Sequence, residues 1–159
     1  MKSSPKSPVA EKWVVNASPV IALARIGQAD LLMRLPKQAV IPQAVEQELL
    51  HAPASDPARR AVEDGMFKVV KTPAPEILAW DLGKGETAVL LYALAKPNWV
   101  AVLDDGAARR CARSLSLTLT GTLSVVILAK QHGLIESAVF KVQRRGSYDS
   151  LYPVTLYTP

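Results

Sequence analysis

The chain has 159 residues, 49% of them hydrophobic, which predicts a single globular domain and excludes a largely disordered protein. Nineteen lysines and arginines against fourteen aspartates and glutamates give a net charge of +5, a balance that suits an anionic partner such as nucleic acid. A single cysteine excludes an intrachain disulfide and, with only two histidines, argues against a zinc site.

Three segments are expected along the chain. Residues 1–11 have the composition of a disordered basic tail without the apolar stretch of a secretory signal. Residues 12–145 are expected to form one domain, and residues 146–159 either an edge strand packed on it or a tail. The longest apolar run, residues 88–95, is far shorter than the roughly 20 residues that a membrane span needs. We therefore expect a cytoplasmic protein with no membrane association.

Short apolar runs alternate with helical patterns throughout the domain. The predicted strands are residues 13–15, 39–41, 66–71, 99–103 and 115–120. The predicted helices are residues 18–26, 28–35, 43–51, a short one within 53–64, and 86–95, 106–114, 122–132 and 136–145. Ser18 followed by Pro19 is typical of a helix start, with the hydroxyl as the cap. This alternation predicts an α/β fold with a mostly parallel sheet.

Two adjacent carboxylates, Asp104 and Asp105, directly follow the buried strand predicted at residues 99–103. Like charges at that position cost free energy unless a cation or a basic group compensates them. The alternative is that one aspartate caps the next helix and the other is solvated. Asn16 also follows a predicted strand, and ligand crevices in parallel sheets lie beyond such strand ends.

Two glutamates on predicted helices could line the same crevice. Glu48 shares the mainly apolar side of its helix, where the alternative is a position at the rim or in a salt bridge. Glu86 lies in a first helical turn, where the helix dipole alone favours a negative charge. Gly83 and Gly85 precede it, but their spacing lacks both common phosphate-loop patterns, so a nucleotide site is weakly supported.

Five short motifs occur in chain order: Val15-Asn16-Ala17-Ser18-Pro19-Val20-Ile21-Ala22-Leu23, Ile41-Pro42-x-x-Val45-x-x-Glu48-Leu49, Leu82-Gly83-x-Gly85-Glu86, Leu103-Asp104-Asp105-x-x-x-Arg109 and Thr120-Gly121-Thr122-Leu123. Together they resemble the motifs of PIN-domain proteins, in particular the prokaryotic subgroup related to VapC toxins. The resemblance covers residues 14–135. It implies a three-layer α/β/α sandwich with a five-stranded parallel sheet in the order 3-2-1-4-5, and a Mg²⁺- or Mn²⁺-dependent endoribonuclease.

The same resemblance assigns the site. It implies catalytic roles for Asn16, Glu48, Glu86, Asp104 and Asp105, and a metal site made by these residues other than Glu48. Carboxylate and amide oxygens suit Mg²⁺, and the metal would activate water and stabilise charge on the phosphate. Basic and hydroxyl side chains around the pocket would hold the RNA; the candidates are Ser18, Lys84, Arg109, Arg110, Thr120 and Thr122.

A VapC-like protein would be the toxin of a type II toxin–antitoxin pair, bound by a small antitoxin protein and forming a homodimer. Asn16 departs from the aspartate that commonly ends the first strand in this family, although the subgroup often carries asparagine there. A second hypothesis is therefore a weak or inactive PIN-like module that binds RNA or a protein. A receiver-type phosphoryl-transfer domain is less favoured, because such folds place acids where Asn16 stands.

Overall fold

The computed structural model describes residues 9–72, 81–136, 139–145 and 148–155. Its main sheet has five parallel strands in the order β3-β2-β1-β4-β5. The strands are β1 (Val9–Val15), β2 (Pro36–Pro42), β3 (Lys68–Val70), β4 (Trp99–Val102) and β5 (Leu119–Thr120). This order confirms the topology that the resemblance implies.

The main sheet is sandwiched between helices: α1 (Ala17–Arg25), α2 (Leu31–Arg34), α3 (Gln43–Leu50), α4 (Pro57–Glu63), α5 (Lys84–Ala95), α6 (Gly106–Ser114) and α7 (Thr122–Gln131). All four residues of β4 are buried. Because successive strand residues point to opposite faces, both faces of the sheet must be covered. The expected α/β/α layering is therefore confirmed. None of the helices in the described ranges is long and apolar enough to cross a membrane.

The central strand β1 pairs with β2 on one side and with β4 on the other, and its register places Val15 opposite Val102. Three residues of the predicted tail, 9–11, belong to this strand, and residues 1–8 lie outside the described residues. Helix α1 begins one residue earlier than predicted, because Asn16 is the residue in extended conformation that precedes it. Ser18 is therefore not the cap and lies exposed in the first turn.

The helix predicted at residues 136–145 is wrong. β6 (Val139–Arg145) instead pairs antiparallel with β7 (Tyr148–Thr155) in a separate two-stranded sheet, and β7 contacts α1. Residues 146–147 and 156–159 of the predicted C-terminal segment lie outside the described residues.

Helix α5 offers a direct measure of how packing stabilises the layer that carries the site. Leu90 is fully buried, whereas Leu94, one turn further along the same helix, is 48% exposed. We expect Leu90→Ala to lower the free energy of unfolding by about 2–5 kcal/mol and Leu94→Ala by less than about 0.5 kcal/mol. Urea unfolding monitored by circular dichroism would measure both, and equal losses would contradict the packing of α5.

Candidate active site

The candidate site lies where β1 and β4 end side by side. The sheet continues from β1 to β2 and from β4 to β5, so the strand order changes direction at this point. The backbone N–H of Asn16 donates to Val102 O at 2.9 Å, which fixes Asn16 just beyond the paired strand ends. Crevices that bind ligands in open parallel sheets form at such a switch point.

Asn16 is 1% exposed, and only one of the two polar atoms of its side-chain amide has a hydrogen-bond partner. Its Nδ2 donates to Glu86 Oε1 at 3.2 Å, which orients the amide. Its Oδ1 is buried and accepts no hydrogen bond from any described residue. Since a buried acceptor without a partner costs about 1–3 kcal/mol, this oxygen requires an explanation, and a bound ligand would supply one.

Glu48 lies close to Asn16 because Gly85, which has no side chain, leaves room between them. A Cβ atom on Gly85 would lie 2.9 Å from Glu48 Oε2 and 3.0 Å from Asn16 Oδ1, so both oxygens face the space that a side chain would fill. Gly83 makes similar room, because a Cβ there would collide with Glu86 Oε2. The two glycines therefore act as spacers for carboxylates and do not form a phosphate loop.

The electrostatics of this corner follow from the two glutamates. Partial burial raises the pKa of the Glu48 carboxyl, and repulsion from Glu86 raises it further. Glu86 occupies the first turn of α5, where the helix dipole favours its negative charge. One amide oxygen and two carboxylates form a donor set of hard oxygens, which suits a divalent cation.

The two adjacent aspartates, Asp104 and Asp105, form hydrogen bonds with two different helices. Asp104 Oδ1 accepts from Thr122 N at 2.8 Å and Asp104 Oδ2 accepts from Thr122 Oγ1 at 2.5 Å. Asp105 is the N-cap of α6, and its Oδ2 accepts from Ala108 N at 2.8 Å. The alternative interpretation, in which one aspartate caps the next helix, is therefore correct for Asp105.

The structure thus brings together Asn16, Glu48 and Glu86 but directs Asp104 and Asp105 to the helices that follow them. Within the part of the chain that the structure describes, no three Asp, Glu, His or Cys side chains converge closely enough to hold one metal ion. The cluster of acids around a single cation is therefore smaller than the sequence predicts. It contains Glu48 and Glu86, and the amide of Asn16 supplies the third oxygen.

The predicted RNA-binding side chains differ in how accessible they are. Ser18, Lys84 and Arg110 are exposed, whereas Thr120 is half-buried at the end of β5. Arg109 is also half-buried, and its Nη1 donates to Leu103 O at 3.0 Å. Thr122 is fully buried with its hydroxyl donated to Asp104, which leaves it no surface for the RNA contact that was predicted.

Sequence reasoning missed the spacing role of the glycines and the bond between Asp104 and Thr122. The first had a signal, because Gly83 and Gly85 directly precede the site glutamate Glu86. The second had none, because its partners are 18 residues apart and meet only through the packing of β4, β5 and α7.

Comparison with known proteins gives the fold and then the family. The crystal structure of PAE2754 from Pyrobaculum aerophilum is similar, with a TM-score of 0.53 and 20% sequence identity, and the match covers 79% of this chain and 94% of that chain. No curated protein matches this chain. The family model DUF3368, described as a PIN domain, matches residues 12–147. This match spans most of the chain, and the chain therefore belongs to the PIN-domain family.

Proposed function

We propose that this protein is a metal-dependent endoribonuclease and the toxin component of a type II toxin–antitoxin pair. PIN domains are generally nucleases, which supports hydrolysis of phosphodiester bonds in general terms. The observation that carries the proposal is the buried Asn16 Oδ1, which has no donor among the described residues and faces Glu48 across Gly85.

The residues at this corner fit Mg²⁺ or Mn²⁺. Both ions prefer oxygen ligands, and Mg²⁺ keeps several waters, so a few protein oxygens suffice. Asn16, Glu48 and Glu86 would hold the ion, whereas Asp105 caps α6. When bound, such an ion supplies an activated water and neutralises charge on the scissile phosphate.

Asn16 organises the two glutamates without adding charge. Its Nδ2–H holds Glu86 Oε1, and this bond turns Oδ1 toward the space over Gly85. An aspartate here could not donate and would repel Glu86. We propose that asparagine, compared with aspartate, lowers the negative charge of the site while fixing its geometry. The affinity for the cation then depends more on where the ligand oxygens lie than on their total charge.

The surroundings suit a polyanionic substrate. The net charge of +5 favours RNA, and the exposed Lys84 and Arg110 would contact its phosphates, with Ser18 and Thr120 at the rim. The antitoxin partner, the homodimer and the cytoplasmic location rest on the resemblance to VapC-like proteins. We propose that a small antitoxin protein inhibits the enzyme.

One alternative has its own support. Asn16 replaces the acid common in this family, and Asp104 and Asp105 are engaged in hydrogen bonds with Thr122 and α6. A PIN-like module that binds RNA or a protein without cleaving it would tolerate both features. A nuclease should cleave RNA and bind the cation, whereas this module should do neither.

Removing one carboxylate at the corner tests catalysis. We expect Glu48→Gln and Glu86→Gln each to lower kcat/KM for RNA cleavage with Mn²⁺ at least about 100-fold, because each removes an oxygen from the cation site. Glu46→Gln, on the same helix as Glu48 but outside the cluster, should keep wild-type activity. Single-turnover cleavage of a labelled structured RNA measures all four proteins, and equal cleavage by all would reject this site.

Filling the space over Gly85 tests cation binding directly. A methyl group in Gly85→Ala would lie about where the ion must sit, within 3.0 Å of Asn16 Oδ1 and Glu48 Oε2, so Mn²⁺ binding should be lost. Gly106→Ala is the control, because its nearest contact is the flexible tip of Arg110 at 3.4 Å. Titration calorimetry with Mn²⁺ gives the result, and unchanged binding by Gly85→Ala would contradict the proposed site.

The raised pKa of Glu48 predicts how stability depends on pH in the absence of metal. A carboxyl with a pKa raised by folding destabilises the folded state once it ionises, so stability falls as pH rises through that pKa. In EDTA, Glu48→Gln should therefore have the higher urea midpoint at pH 8, and the difference from wild type should close as pH falls through the raised pKa. A midpoint difference that is constant with pH would contradict the raised pKa of Glu48.

A further inference from the structure

Arg109 is a cation that the fold holds at the edge of the candidate site. Its Nη1 donates at 3.0 Å to the carbonyl oxygen of Leu103, the residue that follows β4. Because Val15 is opposite Val102 in the parallel register, Leu103 is the neighbour of Asn16 across the two strand ends. The Leu103 N–H donates to Thr120 O of β5, and the carbonyl of the same residue points the same way, so the guanidinium lies on the β5 side of Leu103, at the same end of the sheet as Asn16.

Arg109 forms no direct ion pair with a described side chain, and the carboxylate of Asp104 lies near it on the other side of Gly121. In the ranges whose side chains are described, ion pairs join Arg34 to Asp30 and Arg59 to Glu63, and none involves Arg109. A guanidinium has five N–H donors in a planar fork, and the Leu103 carbonyl uses one. Most of the fork is free to bind an anion, and the side chain is only half-buried.

The region next to Arg109 is organised by the hydrogen bonds between Asp104 and Thr122. A Cβ atom on Gly121 would lie 2.9 Å from both Arg109 Nη1 and Asp104 Oδ1, so the two side chains flank this glycine. Asp104 spends both oxygens on Thr122, whose N–H and hydroxyl hold them at 2.8 and 2.5 Å. The carboxylate is thus held near the guanidinium, where opposite charges attract without a direct ion pair.

We propose that Arg109 binds a phosphate group of the polynucleotide substrate at the candidate site, and that Asp104 and Thr122 are positioning residues for it. This inference rests on the proposed function. The fork geometry of arginine matches two phosphate oxygens, and an anchored side chain loses little conformational entropy when it binds. Asp104 is accordingly removed from the set of cation ligands that the sequence predicts.

The same helix supplies a matched control. Arg113 has the same charge as Arg109, lies exposed on α6 and is outside the set of residues predicted to bind RNA. Exposed arginines attract RNA through charge alone, and lysine replaces them without loss. A residue that binds through the fork does not tolerate this change.

The experiment measures binding of a short fluorescein-labelled single-stranded RNA by anisotropy in EDTA, where cation binding and cleavage do not contribute. We expect Arg109→Lys to weaken binding about tenfold while leaving the dependence on salt concentration unchanged, because the charge remains and the paired hydrogen bonds are lost. Arg113→Lys should bind within about twofold of the wild type. Equal binding by Arg109→Lys and wild type would overturn the role of Arg109.

Thr122 tests the positioning role. Thr122→Val removes the hydroxyl that holds Asp104 and should reduce RNA affinity in the same direction as Arg109→Lys, whereas Thr122→Ser keeps the hydroxyl and should restore it. Mn²⁺ affinity should remain that of the wild type in Thr122→Ser and in Arg109→Lys. Full RNA affinity in a folded Thr122→Val, or loss of affinity in a folded Thr122→Ser, would overturn the positioning role of Thr122.

The outcomes separate this inference from the proposed function. A wild-type protein that binds RNA while Arg109→Lys binds it equally well rejects only the assignment of Arg109. A wild-type protein that neither binds nor cleaves RNA rejects the proposed function and the inference together. Binding that depends on Arg109 without any cleavage supports the inference and favours the binding module over the nuclease.

Discussion

The Glu48 carboxylate and the Asn16 amide oxygen face one another across Gly85, which has no side chain, while Glu86 holds the other end of the amide, and this arrangement constrains the rest of the site. Glu48 and Glu86 repel, and the repulsion contributes to the raised pKa of Glu48. Asn16 reduces the conflict by donating to Glu86. Gly85 keeps the intervening space open. The repulsion and the open space are unfavourable or neutral for an empty protein, and both become useful when a cation occupies the space.

The two adjacent aspartates show how neighbours in sequence take separate roles. Asp105 caps α6, and Asp104 bonds the first residue of α7. Both therefore connect the end of β4 to a helix, one directly along the chain and the other across the fold. The cost of placing two like charges together is met by backbone N–H groups at two helix starts, which requires no metal ion.

Much of the fold could be predicted from the sequence because buried parallel strands and amphipathic helices leave strong local patterns. The limits of β1 could not, because Val9 and its neighbours become a strand only through pairing with β2. The helix predicted at residues 136–145 is wrong because Val139–Arg145 becomes a strand through antiparallel pairing with β7, a partner that no local pattern reveals.

For the site, Asn16, Glu48 and Glu86 could be selected by the motifs that carry them, since Asn16 follows a strand, Glu48 shares the mainly apolar side of its helix and Glu86 lies in a first helical turn. The partner of Asp104 could not, because no local pattern tells which of several hydroxyls will approach it. Asn16 Oδ1 could not be recognised as unpaired either, since this depends on the direction in which its amide is turned by Glu86.

The bond between Asp104 and Thr122 also bears on how the chain reaches its native state. Gly121, the residue before α7, has no side chain to cap the helix, and the cap comes from 18 residues upstream. An isolated helix of this length is marginal in water, and an uncapped first turn makes it more so. α7 should thus gain its stability only after β4, α6 and β5 have assembled, so that the C-terminal half of the sheet and its last helix form and open as one cooperative unit.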